Sequence, residues 1–451
     1  MGSSRNSRPA EPPEPIASVT AALAASLAAH ANPGARIAVA LSGGIDSMAL
    51  LDAACELAPG HRIELSAIHV HHGISPHADT WAAFCAEQCA ARGVALAIHR
   101  LAIGNARGAS LEARARKLRY ERLRGANADL VALAHHADDQ AETLLLQLMR
   151  GAGPHGLAAM PAFTPGPPPL LRPLLGLTRA SLAAYARARH LSWIDDESNA
   201  EPRYARNFLR HEVVPRLRQR FPGYPATLLR AARHQAQAAA LLDELAGLDA
   251  AGAVAPEGLA RERLAELSAA RAGNLLRWYL RREGLRAPSE ARLNEMLRQL
   301  LEAGNDARIR IAQDGAELGR HRGLIAVHAP AGAAFARVWS GEREVALPGG
   351  VLAFEPTRGA GVAAAKVSGT SVTLRSRGGG ERIRLAADRP RRAVKKLLQE
   401  AHMPAWERQA LPLVWSEDEL VAVPGIGVAL DYQAAPGESG WRIEWRPGRR
   451  G

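Results

Sequence analysis

The chain has 451 residues, 47% hydrophobic and 23% charged; it is too long for one ordinary core, so two or three domains of a soluble globular protein are expected. Its 57 basic residues exceed its 45 acidic ones by 12, a balance that suits a polyanionic partner such as nucleic acid better than a membrane surface. Three cysteines, Cys55, Cys85 and Cys89, exclude a disulfide framework; no apolar run is long enough to cross a membrane, and a reducing cytoplasm is the expected compartment.

Residues 1–16 are polar, with Pro and Ser, and are expected to form a disordered tail. The Ala-rich stretch over 17–31 follows acidic and proline-rich residues and is weakly apolar, which predicts a short helix and not a signal sequence. The apolar pattern then alternates: strand 36–41, helix 46–57, strand 63–70, helix 79–91, strand 94–101, helix 110–123, strand 130–134 and helix 138–149. Such βα units predict an α/β domain with a doubly wound, Rossmann-like parallel sheet that binds ligands at the carboxyl ends of its strands. The segments 42–47, 69–73 and 134–140 all fall at such ends and would converge on one crevice.

A proline- and glycine-rich break over 161–169 leads into a helical extension. Helix-periodic segments over 225–245, 260–282 and 289–302 predict a mostly helical middle domain, closed by an extended stretch around 307–328. From about Phe335, short strand-like runs, glycine turns and one basic helix over 391–401 predict a small α+β module. The expected division is a catalytic domain with its extension over 17–223, a helical domain over 224–332 and a C-terminal domain over 333–451.

Ser42-Gly43-Gly44-Ile45-Asp46-Ser47 lies between a strand and a helix. Two glycines let the backbone approach a ligand closely, and the first helical turn directs free N–H groups and the positive dipole end at it, so a phosphate is the natural guest. The commoner phosphate loop, with Lys after its second glycine, does not occur. At the later strand end, His135-His136-Ala137-Asp138-Asp139-Gln140-Ala141-Glu142-Thr143 opens a helix. Asp139 and Glu142 share one face, where they can hold magnesium or an ammonium group; helix capping by Asp138 accounts for one acid, not for the cluster. A metal-dependent phosphohydrolase would need further ligands, for which His69, His71 and His72 are candidates. Gly151-Ala152-Gly153-Pro154-His155-Gly156 fits a dinucleotide fingerprint formally, but it follows a helix and reads as a flexible turn near the site. Cys85 and Cys89 are spaced for one helix face and sit away from the strand-end motifs.

The glycine turn resembles the pyrophosphatase loop (PP-loop) of ATP-cleaving synthetases, and the order of motifs resembles the tRNA(Ile)-lysidine synthase family. The resemblance rests on Ser42 to Ser47, His69-Val70-His71-His72-Gly73-Ile74, Leu111-Glu112-Ala113-Arg114-Ala115-Arg116-Lys117-Leu118-Arg119-Tyr120 and His135 to Thr143. It continues through the Gly151 turn and Asp196-Glu197-Ser198-Asn199 to Tyr204-Ala205-Arg206-Asn207-Phe208-Leu209-Arg210. Coverage is dense over the first half and in outline beyond it, with Lys395-Lys396-Leu397, Met403-Pro404 and Arg408. Arg377-Gly378-Gly379-Gly380-Glu381-Arg382 departs from the Gly-Asp pair usual in the family.

The resemblance implies an ATP-dependent carbon–nitrogen ligase. It would join L-lysine to the 2-position of the wobble cytidine of tRNA(Ile) with a CAU anticodon, through an adenylated cytidine, converting ATP to AMP and pyrophosphate. It implies that Ser42, Gly43, Gly44, Ile45, Asp46 and Ser47 bind ATP, with Asp46 holding Mg2+ or orienting the triphosphate, and that Asp139 and Glu142 recognise lysine. Arg116 and Arg206 would stabilise charge at the α-phosphate and pyrophosphate. Without the resemblance, Arg116 and Arg119 read as a solvated basic face and Tyr120 as core. Arg391, Arg392, Lys395 and Lys396 are candidates for tRNA contact. Lysine is otherwise found only at Lys117 and Lys366, so the positive charge is nearly all arginine. A PP-loop tRNA cytidine thiolase is the alternative within the loop class, and the metal-dependent phosphohydrolase is the alternative outside it. The sequence leaves the oligomeric state open, a homodimer included.

Overall fold

The computed structural model describes residues 15–73, 75–102, 109–195, 205–303, 309–330 and 332–448. Of the tail expected over 1–16, residues 1–14 lie outside the described residues, as do the motif residues Ile74, Asp196 to Asn199 and Tyr204, while Pro15 and Ile16 already belong to a helix. The chain divides into two compact units, Met1–Leu241 and Leu242–Gly451.

The first unit runs α1 (Pro15–His30), β1 (Arg36–Ala40), α2 (Ile45–His61), β2 (Glu64–His71), α3 (Ala78–Ala90), β3 (Ala95–Arg100), α4 (Ala109–Arg124), β4 (Leu130–Ala132) and α5 (Ala137–Met149). It continues through α6 (Pro154–Leu157), β5 (Phe163–Thr164), β6 (Leu170–Leu171), α7 (Arg179–Ala188), α8 (Ala205–Phe208), a π-helical turn (Leu209–Val213), α9 (Val214–Arg220) and α10 (Tyr224–Ala250), which runs on into the second unit. The six strands stand in the order β3-β2-β1-β4-β6-β5. All neighbours are parallel except β5 and β6, which are antiparallel. Strand geometry sends alternate side chains to opposite faces. Ile37, Val39 and Leu41 therefore join one core with Met48, Leu50, Leu51, Leu182 and Tyr185. Ala38 and Ala40 join the other with Val131, Leu133 and Leu123. Both faces are covered, as the doubly wound reading requires. The chain leaves β1 towards β2 and β3 and returns to β4 on the other side, so the topological switch lies between β1 and β4, where such sheets open a crevice.

Two details refine the sequence reading of this unit. The Gly151 turn is a one-turn helix, α6, entered after Gly151 at φ +66°. The Pro-rich break contains β5 and leads into β6, each two residues long.

In the second unit the end of α10 is followed by β7 (Val254–Ala255), β8 (Gly258–Ala260), α11 (Arg261–Glu266), α12 (Ala269–Arg282), α13 (Glu290–Glu302), β9 (Ile311–Gln313), β10 (Ala316–His321) and β11 (Leu324–His328). Leu275, Leu276, Tyr279 and Leu280 of α12 share a core with Leu293, Met296 and Leu300 of α13, a helical stripe facing inwards. The extended stretch supplies β9, β10 and β11 of a five-stranded, wholly antiparallel sheet, β7-β8-β11-β10-β9. Beyond it lie β12 (Ala336–Val338), β13 (Glu344–Leu347), β14 (Gly350–Arg358), β15 (Val362–Ala363), α14 (Ala364–Val367), β16 (Val372–Arg375), β17 (Arg382–Ile383) and β18 (Arg392–Ala393). The last elements are α15 (Val394–Glu400), α16 (Ala405–Ala410), β19 (Leu413–Ser416), β20 (Glu419–Val423), β21 (Gly427–Val428) and β22 (Ser439–Pro447). The basic helix is thus shorter than its sequence pattern: Arg391 precedes β18 and Arg392 lies in it.

Candidate active site

At the carboxyl end of β1 the chain turns sharply into α2. Gly43 adopts φ +89°, a conformation that favours glycine, and a Cβ built there would stand 2.7 Å from Ile194 Cδ1 and 3.3 Å from Cys85 Sγ, so those side chains would have to shift as well. The Ser47 hydroxyl accepts the amide N–H groups of Ser42 and Gly43, each at 3.2 Å, and donates to the Gly44 carbonyl at 2.9 Å. Ser42 Oγ lies 3.0 Å from Ser47 Oγ and accepts the Gly44 amide at 3.4 Å. The turn is thereby shaped by its own serines. Gly44, at the N-cap, has no side chain to cap the helix, so the first-turn amides of α2 keep their capacity for an anion. Ile194 closes one side, its amide donating to the Gly43 carbonyl at 2.9 Å.

At the carboxyl end of β4, α5 begins with a reciprocal cap: the His136 amide donates to Asp139 Oδ2 at 3.2 Å, and the Asp139 amide to His136 Nδ1 at 3.4 Å. His136 Nε2 stands 3.6 Å from Asp46 Oδ2 and 3.5 Å from Asp139 Oδ2, so this imidazole joins the glycine turn to the acidic helix. Burial disfavours its charge, but the hydrogen bond to Asp46 and the charges of Asp139, Asp46 and Asp138 outweigh that and raise its pKa. The other oxygen of Asp46, Oδ1, is buried without a hydrogen-bond partner.

Asp139 and Glu142 lie on one face of α5, both buried. Two arginines meet them. Arg210 donates through Nε to Glu142 Oε1 at 2.7 Å and through Nη2 to Glu142 Oε2 at 2.9 Å, and its Nη2 also reaches Asp139 Oδ1 at 3.3 Å. Arg206 Nε stands 3.5 Å from Glu142 Oε2 while its Nη2 donates to Thr143 Oγ1 at 2.8 Å. Both arginines sit at the α8 and π-turn junction, and Val214, Leu217 and Tyr224 pack that segment against Ala141 of α5.

The structure therefore brings together Asp46, Asp139, Glu142 and Arg206 of the residues expected from sequence. Arg116 lies on α4, exposed, with its guanidinium 5.2 Å from the Tyr120 ring centroid. Its charge reaches His135, whose pKa burial lowers strongly; Asp139 opposes that shift, and Arg119, Arg172 and Arg116 reinforce it. Arg119 is not on a solvated face: burial depresses its pKa, and Tyr120 is half-buried beside the second core.

Sequence reasoning gave no role to His136 or Arg210 and cast Asp138 as the helix cap; the cap is instead made by His136 and Asp139. Arg210 follows Arg206 by four residues, the spacing of one helix face, and that was the available signal. Two readings need correction. Cys85 is not remote from the strand ends: its Sγ lies under Gly43 and 3.5 Å from His69 Nδ1. Burial pushes the Cys85 thiol up to about 12, so it is packed and inert. His69 and His71 are engaged otherwise than as metal ligands. His69 Nδ1 pairs with the Leu41 carbonyl at 2.9 Å, and His71 Nε2 lies 3.2 Å from both Asp79 Oδ1 and Arg100 Nη1.

Among the basic candidates of the second unit, Arg391, Lys395 and Lys396 are exposed, while Arg392 pairs with Glu400. Val394, Leu397 and Leu398 anchor the opposite face of α15.

Comparison of the sequence with known proteins points to one family. Residues 17–217 match the PP-loop domain, residues 259–325 the TilS substrate binding domain and residues 372–445 the TilS substrate C-terminal domain. The tRNA(Ile)-lysidine synthase of Nitrosomonas europaea is 44% identical over 431 residues, covering 93% of this chain and 94% of its own. The chain belongs to the tRNA(Ile)-lysidine synthase family. A second member, from an Azoarcus species, is 44% identical over 424 residues, with 93% and 94% covered. Among solved structures, the U34-tRNA thiolase NcsA from Methanococcus maripaludis with its [4Fe-4S] cluster is 16% identical, with a TM-score of 0.43 over 49% of this chain and 78% of its own. Membership in the family entails ATP use by the PP-loop domain. No helix among the described residues is long and apolar enough to cross a membrane.

Proposed function

We propose that this chain joins L-lysine to the 2-position of the wobble cytidine of an isoleucine tRNA with a CAU anticodon, consuming ATP and releasing AMP and pyrophosphate in the cytoplasm. The observation that carries the reading is the meeting, at the β1/β4 switch, of an anion-receiving glycine turn with two buried carboxylates through His136, in a chain of this family. A cytosine carbonyl is a poor electrophile and oxide a poor leaving group. Transfer of AMP to the carbonyl oxygen makes AMP the leaving group, and the lysine ε-amine then attacks the same ring carbon.

The residues divide this work. Ser42, Gly43, Gly44, Ile45 and Ser47 form the turn that holds the ATP phosphates, the serines fixing its shape and the first-turn amides of α2 receiving the anion. The orphaned Asp46 Oδ1 fits a divalent cation: Mg2+ is held by one or two carboxylates with substrate phosphates, and needs no all-protein cage. When bound there, Mg2+ supplies neutralisation of phosphate charge. Arg116 and Arg206 stabilise the charge that develops at the α-phosphate and departing pyrophosphate. Asp139 and Glu142 take an ammonium group of lysine. The ε-amine, with a reference pKa of about 10.4, arrives protonated and must lose a proton to attack, which a neighbouring carboxylate or phosphate accepts. Residues 17–223 perform the chemistry, and the modules over 224–332 and 333–451 grip tRNA, with Arg391, Arg392, Lys395 and Lys396 on its phosphates.

The test is AMP and pyrophosphate release with tRNA and lysine supplied together or singly. The reading expects full turnover only with both, and its loss in Asp46→Asn. Pyrophosphate release without tRNA would support a phosphohydrolase, and turnover that depends on sulfide in place of lysine a thiolase.

A further inference from the structure

The carboxylate pair assigned to lysine already holds a cation of the chain itself. Glu142 and Asp139 together receive three hydrogen bonds from the Arg210 guanidinium, two on Glu142 at 2.7 and 2.9 Å and one on Asp139 at 3.3 Å. With the His136 amide and Nε2 on Asp139 Oδ2 and Arg206 Nε 3.5 Å from Glu142 Oε2 as well, every oxygen of the pair is already engaged, so an incoming ammonium must compete for them. We propose that Arg210 is a resident occupant of the lysine site, which lysine must displace, and that it thereby sets the apparent affinity and selectivity for the amino acid. This rests on Asp139 and Glu142 being the lysine-binding pair.

Three further observations support displacement over a fixed structural pair. Arg210 lies in a π-helical turn, Leu209–Val213, a local departure from α-helical hydrogen bonding that recurs at functional sites. Arg206, on the preceding turn, keeps its own anchor on Thr143 Oγ1 at 2.8 Å, so Glu142 retains a neighbouring cation at 3.5 Å when Arg210 leaves. Arg210 is partly open to solvent, with 23% of its side chain exposed against 3% for Glu142, so the guanidinium has a way out while the carboxylate stays in place.

The arithmetic is that of a competing internal state. If the occupied form is nine-tenths or more of the population, the apparent lysine dissociation constant is raised about tenfold or more over the vacated site. The experiment measures equilibrium binding of labelled lysine to the full chain, wild type against Arg210→Gln and Arg210→Lys. The expected result is about tenfold tighter binding in R210Q and a smaller gain in R210K, which keeps a cation. Unchanged or weaker binding in folded R210Q overturns the proposal and makes Arg210 a support of the carboxylates. Asp139→Asn is measured in parallel, since lysine binding insensitive to D139N would overturn the lysine-site reading itself, separately from the displacement. Should R210Q fail to fold, amide exchange of residues 207–213 in the wild-type chain decides: added lysine should accelerate it, and unchanged or slower exchange contradicts displacement.

Discussion

The Tyr224 hydroxyl donates to Asp138 Oδ1 at 3.2 Å, which ties the first residue of the long helix α10 to the helix that carries Asp139 and Glu142. Asp138 is shared further. Its Oδ2 accepts the Arg179 amide at the start of α7 at 2.8 Å, and its Oδ1 lies 3.3 Å from Arg218 Nη2. One carboxylate beside the candidate site therefore gathers α7, α9 and α10. A double-mutant cycle of Tyr224→Phe and Asp138→Asn in urea unfolding should give a coupling of about 1 kcal/mol, typical of a hydrogen bond to a carboxylate that is partly solvated. Strictly additive effects would show that the hydroxyl contributes nothing.

Ser47→Ala removes the acceptor that shapes the glycine turn and strands the amides of Ser42 and Gly43. Turnover should fall by about 10² or more, since misplacement of a group that positions reacting phosphates by about 1 Å costs that much, while the fold persists because Leu50 and Leu51 still bury α2. Gly43→Ala should do worse, losing ATP binding and thermal stability together, because alanine disfavours the positive φ of this turn and its Cβ would also displace the tip of Ile194. Near-normal ATP binding in G43A would contradict the turn's role.

Burial keeps His135 neutral, with Asp139 opposing and the nearby arginines reinforcing. Its folded pKa lies below the ordinary value of about 6.5, so the unfolded chain takes up a proton that the folded chain refuses as pH falls below 6.5. The stability from this residue is complete above pH 6.5 and declines below it, by at most about 1.4 kcal/mol per pH unit. His135→Gln should flatten the fall in unfolding free energy between pH 6.5 and 5. Parallel curves for the two proteins would refute a neutral buried imidazole.

Lys395 and Lys396 project from α15 with their apolar neighbours turned inwards, so charge reversal at both should leave stability within about 0.5 kcal/mol, as surface changes usually do. The KM for tRNA should rise, and the salt dependence of tRNA binding should become shallower by about one unit for each phosphate that is no longer neutralised. The KM for ATP should hold. Equal changes for ATP and tRNA would remove α15 from the tRNA interface.

The β1, α2, β4 and α5 framework was legible because Ile37, Val39 and Leu41 alternate with Ala38 and Ala40, and because glycines and acids punctuate the strand ends. Periodicity reports burial on a face, and these elements bury faces fully. It is blind to two-residue strands such as β5 and β6, which no pattern of period two can announce. The split of residues 260–282 into β8, α11 and α12 was also hidden, since Leu267 and Ser268 interrupt the helix inside a continuous apolar pattern. Within the site, Asp139 and Glu142 could be placed on one face from spacing alone. Their partner Arg210 could not, because a guanidinium 68 positions along the chain meets Glu142 only through packing of the α8 to α10 segment. Cys85 was misjudged for the same reason: sequence separation from the glycine turn concealed that α3 packs beneath it.

The central claim is that this crevice transfers lysine to a cytidine. The most direct measurement is the incubation of the full chain with labelled lysine, ATP, Mg2+ and an unmodified isoleucine tRNA transcript bearing CAU, followed by nuclease digestion and mass analysis of the wobble nucleoside. The account predicts one lysine on that cytidine for each AMP released. AMP release with the wobble cytidine unchanged, or lysine recovered elsewhere in the tRNA, would contradict it.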